Sequence, residues 1–176
     1  MFWRSALLDL EEKDPRVRAK NTDVDFPLND EYKDIIPEML KHLRYSQIEK
    51  LSKKYDLRPG MGLAAPQLGI NKNFFVVCYE VKDGVFDDYI LINPKVISYS
   101  EEMIYAGEGE GCLSVNREVE GIVPRHARIT VEAYDLDGNK RKYRVREDLA
   151  IAFQHELDHL NGILFVDYID PKDPYK

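Results

Sequence analysis

The chain has 176 residues, with 25 Lys and Arg against 32 Asp and Glu for a net charge of −7, and only two cysteines, Cys78 and Cys112. That length suits a single domain, residues 1–176, able to bury a core without disulfide staples, and two cysteines fit a reducing cytoplasm. The acid excess speaks against a broad phosphate-binding face for nucleic acid, DNA included, and leaves room only for a local basic patch. No run approaches the roughly 20 apolar residues of a membrane span, and Met1–Leu10 is too short in apolar residues for a signal peptide.

The first 30 residues are charged and interrupted by Pro15 and Pro27, and they read as an irregular arm with a short helix near Ser5–Glu12. From Asp30 to about Tyr55, Ile35, Ile36, Met39, Leu40, Leu43, Ile48 and Leu51 keep helical spacing. Pro37 either kinks that helix or sits in the first turn of one starting near Asp34. Gly60 and Gly62 mark a loop with exposed peptide groups. Phe74–Val81 reads as a buried strand closed by the Asp83-Gly84 turn. Further strands are expected at Tyr89–Ile92, Val96–Ser100, Ala127–Asp135 and Lys140–Arg146, the last two joined by a hairpin at Asp137-Gly138. A helix is expected from about Asp148 to Asn161, stopped by Gly162, and then a final strand over Ile163–Ile169. Hairpins outnumber crossovers, so the class is α+β: antiparallel or mixed sheets around a central helix, plus an N-terminal helix.

His155-Glu156-Leu157-Asp158-His159 on that helix is the most informative stretch. Positions i and i+4 share a helix face, so both imidazoles can reach one cation, and Glu156 sits one step round as a general base for water. On the helical wheel Leu149, Phe153, Leu157 and Leu160 form one apolar arc. An adjoining arc holds Ile151, Ala152, His155, Glu156 and His159, with only Gln154, Asp158 and Asn161 left for a polar rim. Two imidazoles and a carboxylate carried inward are costly unless something binds them. By itself, His-Glu-x-x-His is equally compatible with ordinary helical histidines.

A catalytic site of this type needs a third protein ligand. No His follows His159, and Cys112, in Glu110-Gly111-Cys112-Leu113-Ser114, is the best other candidate because a thiolate binds Zn or Fe strongly. A small buried hydrophobe is the competing reading for Cys112, as it is for Cys78. Gly60-Met61-Gly62-Leu63-Ala64-Ala65-Pro66-Gln67 leaves backbone free to pair with an extended ligand, and the Gln67 amide can donate to a developing oxyanion. Taken singly, a plain turn explains it as well.

Together these three stretches, at 60–67, 110–114 and 154–159, resemble the three signature motifs of peptide deformylases, in order and at suitable spacing. The likeness runs from about Asp14 to Asp170. The long segment between the first two motifs and a strand-like tail in place of a C-terminal helix resemble the type II, bacterial branch. The resemblance implies removal of the formyl group from N-formyl-methionyl nascent peptides. It implies one divalent ion held by Cys112, His155 and His159, with Fe(II) as the native ion and Zn, Ni or Co able to occupy the site. Glu156 would be base and then acid, and Gln67 and the Leu113 N–H would hold the formyl oxygen. Gly60, Met61 and Gly62 would align the peptide, Glu110 would pair with Arg125 at the pocket wall, and Ala152, Leu113 and Met61 would line the methionine pocket.

The chain departs from that pattern at Glu147-Asp148, where relatives often carry Gly-Tyr, and at Asp14-Pro15-Arg16-Val17-Arg18, where Pro-x-Leu-Arg is usual. Two other readings stand beside it. A zincin-type peptidase would need Asp167 or Asp170 as third ligand, and an inactive metal-binding domain would need four ligands and no base. Lys41, Arg44, Lys50, Lys53, Lys54 and Arg58 cluster around the first helix, either as a transient ribosome contact or as a solvated helix face.

Overall fold

The computed structural model describes residues 10–176. The helix expected near Ser5–Glu12 lies largely outside the described residues, and Leu10–Glu12 is not helical. Pro15 begins a helix instead of only interrupting the chain: α1 is the single turn Pro15–Arg18, capped by Asp14, whose carboxylate accepts from the Arg16 N–H at 2.8 Å.

α2 runs over Asp30–Gln47, straight through Pro37. Asn29 caps it by accepting from the Glu31 N–H, and Asp30 and Glu31 favour the positive end of the helix. Pro37 is tolerated because it faces solvent, where water can take the carbonyl that its missing N–H leaves free. Ile36, Met39, Leu40 and Leu43 form the buried face. The helical stretch does break, but at Ile48, which is extended; α3 follows as Glu49–Tyr55. The Ser46 hydroxyl near that break accepts from the Gly60 N–H at 3.1 Å, and Gln47 donates to the Cys78 carbonyl at 2.8 Å.

One sheet has five antiparallel strands in the order β1 (Gly62–Ala64), β2 (Phe74–Lys82), β3 (Val85–Tyr99), β6 (Arg128–Tyr134), β7 (Lys140–Arg146). A two-stranded piece pairs β4 (Met103–Ile104) with β5 (Arg125–His126). The strands expected at 89–92 and 96–100 are one bulged strand, β3. Asn93 takes a left-handed φ of 51° there while its amide bonds both the N–H and the carbonyl of Val24. The strand expected at 127–135 is β6, and Ala127 just before it turns its N–H to the Glu102 carbonyl, separating β6 from β5.

The final strand expected over 163–169 is absent. Phe165–Tyr168 is a 3₁₀ turn. Its local chemistry overrides the apolar alternation: the Asp167 carboxylate accepts from the Leu164 N–H at 3.0 Å and pairs with Arg18 at 2.6 Å. No helix follows that turn.

α4, Glu147–His159, lies on one sheet face and α2 on the other. Gln154 fastens α4 to β5, accepting from the His126 N–H and donating to its carbonyl, both at 2.8 Å. Phe153 is fully buried, edge-on to Phe75, Tyr89 and Tyr143 at centroid distances of 5.7, 5.4 and 6.2 Å. Gly162, with φ +73°, ends the helical region, and any side chain there would collide with the Arg18 carbonyl. Phe153→Ala should lower the unfolding free energy by about 3–5 kcal/mol, read from a urea midpoint shift at unchanged slope.

Candidate active site

The i, i+4 spacing on α4 places the His155 and His159 rings 5.1 Å apart, centre to centre. Cys112 comes from the loop before β5, and that loop is held from below by Arg58. The Arg58 guanidinium donates to the carbonyls of Cys112 and Val115 and to Asn116. Cys112 Sγ then lies 3.3 Å from His159 Nε2, and the three candidate ligand atoms are all within 4.8 Å of one another. An ion about 2.3 Å from sulfur and 2.0–2.1 Å from nitrogen spans such separations.

The donor set fits a cation for two further reasons. Glu156 is 3% exposed, yet its Oε2 has no hydrogen-bond partner. His155 Nδ1 meets Glu110 Oε1 at 2.9 Å, which directs Nε2 to the centre, the arrangement that orients metal-binding imidazoles.

Burial sets the electrostatics. It pushes Glu156 up to about 7, against the opposing pull of His155 and Arg125. Burial also opposes charge on His155, but hydrogen bonds to Cys112 and Glu110 outweigh it and hold that imidazole well above its ordinary value. His159, buried and facing His155, stays well below. Glu110 and Arg125 are 5% and 3% exposed and form a two-pronged pair at 2.9 Å, and Arg125 also reaches Asp158 at 2.6 Å. The Tyr168 hydroxyl donates to Asp158 at 2.9 Å, with the guanidinium 5.0 Å from its ring centre.

Gly60–Gly62 enters from the other side. The β1 strand pairs with β2 from Gly62 to Ala64, which leaves its outer edge toward the cavity. A Cβ at Gly62 would come 2.8 Å from Glu156 Cδ, so only glycine lets the strand pass over the carboxylate. Gln67 is 2% exposed; its Oε1 accepts from the Ala64 N–H at 2.9 Å, and its Nε2 points to Ser114 Oγ at 3.2 Å and Cys112 Sγ at 3.7 Å.

One cavity of about 820 Å³ is lined by Gly60, Met61, Gly62, Gln67, Glu110, Cys112, Leu113, Ala152, His155 and Glu156. Of the residues the family resemblance assigns to the site, His159 and Arg125 lie behind that lining, at 0% and 3% exposure. Asp148 also lines the cavity, and Glu147 takes a left-handed φ of 55°, a conformation that glycine adopts without penalty. Arg58, Ser114, Asp158 and Tyr168 were not read as site residues. Asp158 lies inside the histidine motif, but its partners are distant in sequence and leave no local signal.

A buried Cys-His-His cluster beside a carboxylate, on one helix and one loop of an α+β fold, defines a metal-dependent hydrolase. A family model for polypeptide deformylase matches residues 10–175. A peptide deformylase of Macrococcus caseolyticus is 50% identical over 163 residues, covering 92% of this chain and 89% of its own. A probable peptide deformylase from Synechococcus phage S-SSM7 superposes with TM-score 0.73 at 34% identity, covering 92% of this chain and 99% of its own. The Thermotoga maritima enzyme gives TM-score 0.69 at 34% identity, covering 90% and 93%. The chain belongs to the peptide deformylase family, enzymes that remove the formyl group from N-terminal methionine.

Glu156 makes the metal-free fold sensitive to pH. Its folded-state pKa lies above the ordinary 4.5, so the carboxyl favours the fold below pH 4.5 and loses that advantage as pH rises through about 7. Metal-free Glu156→Gln should therefore be more stable than the parent above pH 7, by roughly 1–3 kcal/mol, and gain nothing below pH 4.5. Paired thermal melts across that range check it.

Proposed function

We propose that Glu156, Gln67 and Leu113 carry out the deformylation, beside a cation held by Cys112, His155 and His159. The gathering of the Cys112, His155 and His159 ligand atoms within 4.8 Å of one another, beside a cavity lined by Glu156, Gln67 and Leu113, carries this reading. When bound, the cation supplies Lewis acidity, lowering the pKa of water and drawing charge from the formyl oxygen. Glu156, buried and lifted toward neutrality, takes the proton from the attacking water and returns it to the leaving amine. Gln67 Nε2 and the Leu113 N–H meet the oxygen as it gains charge; one such donor is typically worth about 2.7–4 kcal/mol. Gly60, Met61 and Gly62 give the peptide an edge to pair with, while Ala152, Leu113 and Met61 provide apolar wall for the methionine. Glu110 holds His155 in place. Free formate and a peptide with a free N-terminus leave.

Fe(II) is the native ion in this reading, as the family resemblance implies, and one thiolate and two imidazoles would also accept zinc, nickel or cobalt. The peptides are nascent chains in the cytoplasm, handled by one domain, with no membrane or DNA partner. Among the described residues no helix is long and apolar enough to cross a membrane. The zincin reading loses its candidate ligands, because Asp167 is engaged with Arg18 and Leu164, and Asp170 accepts from the Lys172 N–H. A ribosome contact through the first helices is also weakened: Arg44 pairs with Asp88 at 2.7 Å, Lys53 with Glu49 at 2.5 Å, and Arg58 turns inward to Cys112.

Glu156→Gln should keep the metal and lose about 10²–10⁴ in kcat on a formyl-methionyl peptide, and Gln67→Ala should lower kcat with KM little changed. Activity of Glu156→Gln within tenfold of the parent would remove it from the mechanism. The iron form should lose activity under timed oxygen exposure, with oxidation of the Cys112 peptide and not of the Cys78 peptide in mass spectra. The zinc form, lacking redox chemistry, should withstand the same exposure.

A further inference from the structure

Five residues of the cavity lining come from α4: Asp148, Ile151, Ala152, His155 and Glu156. Steps of three and four put them on one stripe of the helix. At about 1.5 Å per residue, that stripe runs roughly 10 Å from His155 to Asp148. It begins at His155 and the buried Glu156, crosses the apolar wall of Ile151 and Ala152, and ends on an exposed carboxylate. The reaction proposed above needs no charge at that outer end.

Nothing neutralises it. Among the described residues no hydrogen bond or ion pair engages the Asp148 carboxylate. Both lysine-or-arginine cations of the lining are committed elsewhere: Arg58 donates to the carbonyls of Cys112 and Val115, and Arg117 pairs with Glu12 at 3.1 Å. Glu110 is spent on Arg125 and His155, while Glu118 and Glu120 are exposed on the lining and add to the sign of Asp148. The mouth of the cavity is therefore negative.

We propose that Asp148 selects substrates by the charge of their third residue, favouring Lys or Arg and disfavouring Asp or Glu. The inference rests on the deformylase reading, with the formyl group at the His155 end of the stripe and the peptide paired along β1. Side chains of a paired strand alternate, and residues two apart lie about 6.6–6.8 Å from each other on one side. A methionine facing Ile151 and Ala152 thus sets the third side chain on the same side, further from the centre and toward Asp148. The second side chain points away. A charge so far from the formyl carbon acts alike on bound substrate and transition state, so it moves KM and leaves kcat. The competing role for Asp148 is structural, because a carboxylate in the first turn of α4 suits the positive end of the helix. That role changes stability and is indifferent to the substrate.

Formate release by the metal-loaded full chain from three C-terminally amidated peptides, formyl-Met-Ala-Lys, formyl-Met-Ala-Ser and formyl-Met-Ala-Glu, separates the two. The Lys peptide should exceed the Glu peptide in kcat/KM by about five- to tenfold at low ionic strength, as for one weak attraction and one weak repulsion. The difference should lie in KM. It should shrink to about twofold or less in 1 M salt, where the Debye length is about 3 Å. Asp148→Asn should bring the ratio to about twofold, Asp148→Lys should invert it, and Asp148→Glu should keep it. Asp34→Asn, on the exposed side of α2, should match the parent. Lys and Glu moved to the second residue should be told apart less than at the third. Equal kcat/KM on all three peptides, a ratio that Asp148→Asn leaves in place while its melting temperature falls, or a second-residue preference as strong as the third overturns the proposal and leaves the deformylase reading standing. No formate from any of the peptides overturns both.

Discussion

Arg125 carries the site. At 3% exposure its guanidinium is divided between Glu110 and Asp158, and each of those carboxylates is committed in turn, Glu110 to His155 and Asp158 to Tyr168. A buried ion pair gains little net stability over apolar packing, but removing one member leaves an uncompensated charge. What such a pair does supply is geometry. Glu110 arrives from the loop that also bears Cys112, Arg125 from β5, and Asp158 from the helix of the two histidines. One guanidinium therefore ties together the three segments whose relative placement decides whether sulfur and two nitrogens converge on a single centre.

The same helix solves a second problem. Burying Glu156 raises its pKa to about 7, which costs stability in the metal-free fold and suits the proton transfer proposed for it near neutrality. The apolar arc with Phe153 at its centre supplies the burial. Aromatic contacts to Phe75, Tyr89 and Tyr143 anchor α4 to three strands, so the carboxylate is desolvated by side chains that have no part in the chemistry.

The legible parts of the sequence were those governed by local periodicity. The i, i+4 histidines, the Asp83-Gly84 and Asp137-Gly138 hairpins, and the glycine after α4 each report a short-range rule, and each stands where it was expected. The misses arose where a distant partner decided. Asp167 turned an apparent strand into a 3₁₀ turn through Arg18. Arg58 looked like one more surface cation until the fold brought the Cys112 carbonyl to it. Pro37 misled differently, since its cost depends on which side of α2 meets water.

Gly62 shows how closely the β1 edge and the Glu156 carboxylate are coupled. The β1 strand pairs with β2 through Val77 and at the same residue passes against the Glu156 carboxylate, with no room for a Cβ. The β1 backbone edge proposed to take the peptide and the carboxylate proposed as base are thus set by one contact. A shift of β1 that spoiled peptide pairing would also move atoms off Glu156 and admit water to its unpartnered oxygen. Ser46 and Gln47 steady that arrangement from α2, through Gly60 and the Cys78 carbonyl. Both helices therefore shape the candidate site, α4 by carrying the ionisable groups and α2 by fixing the strand laid over them.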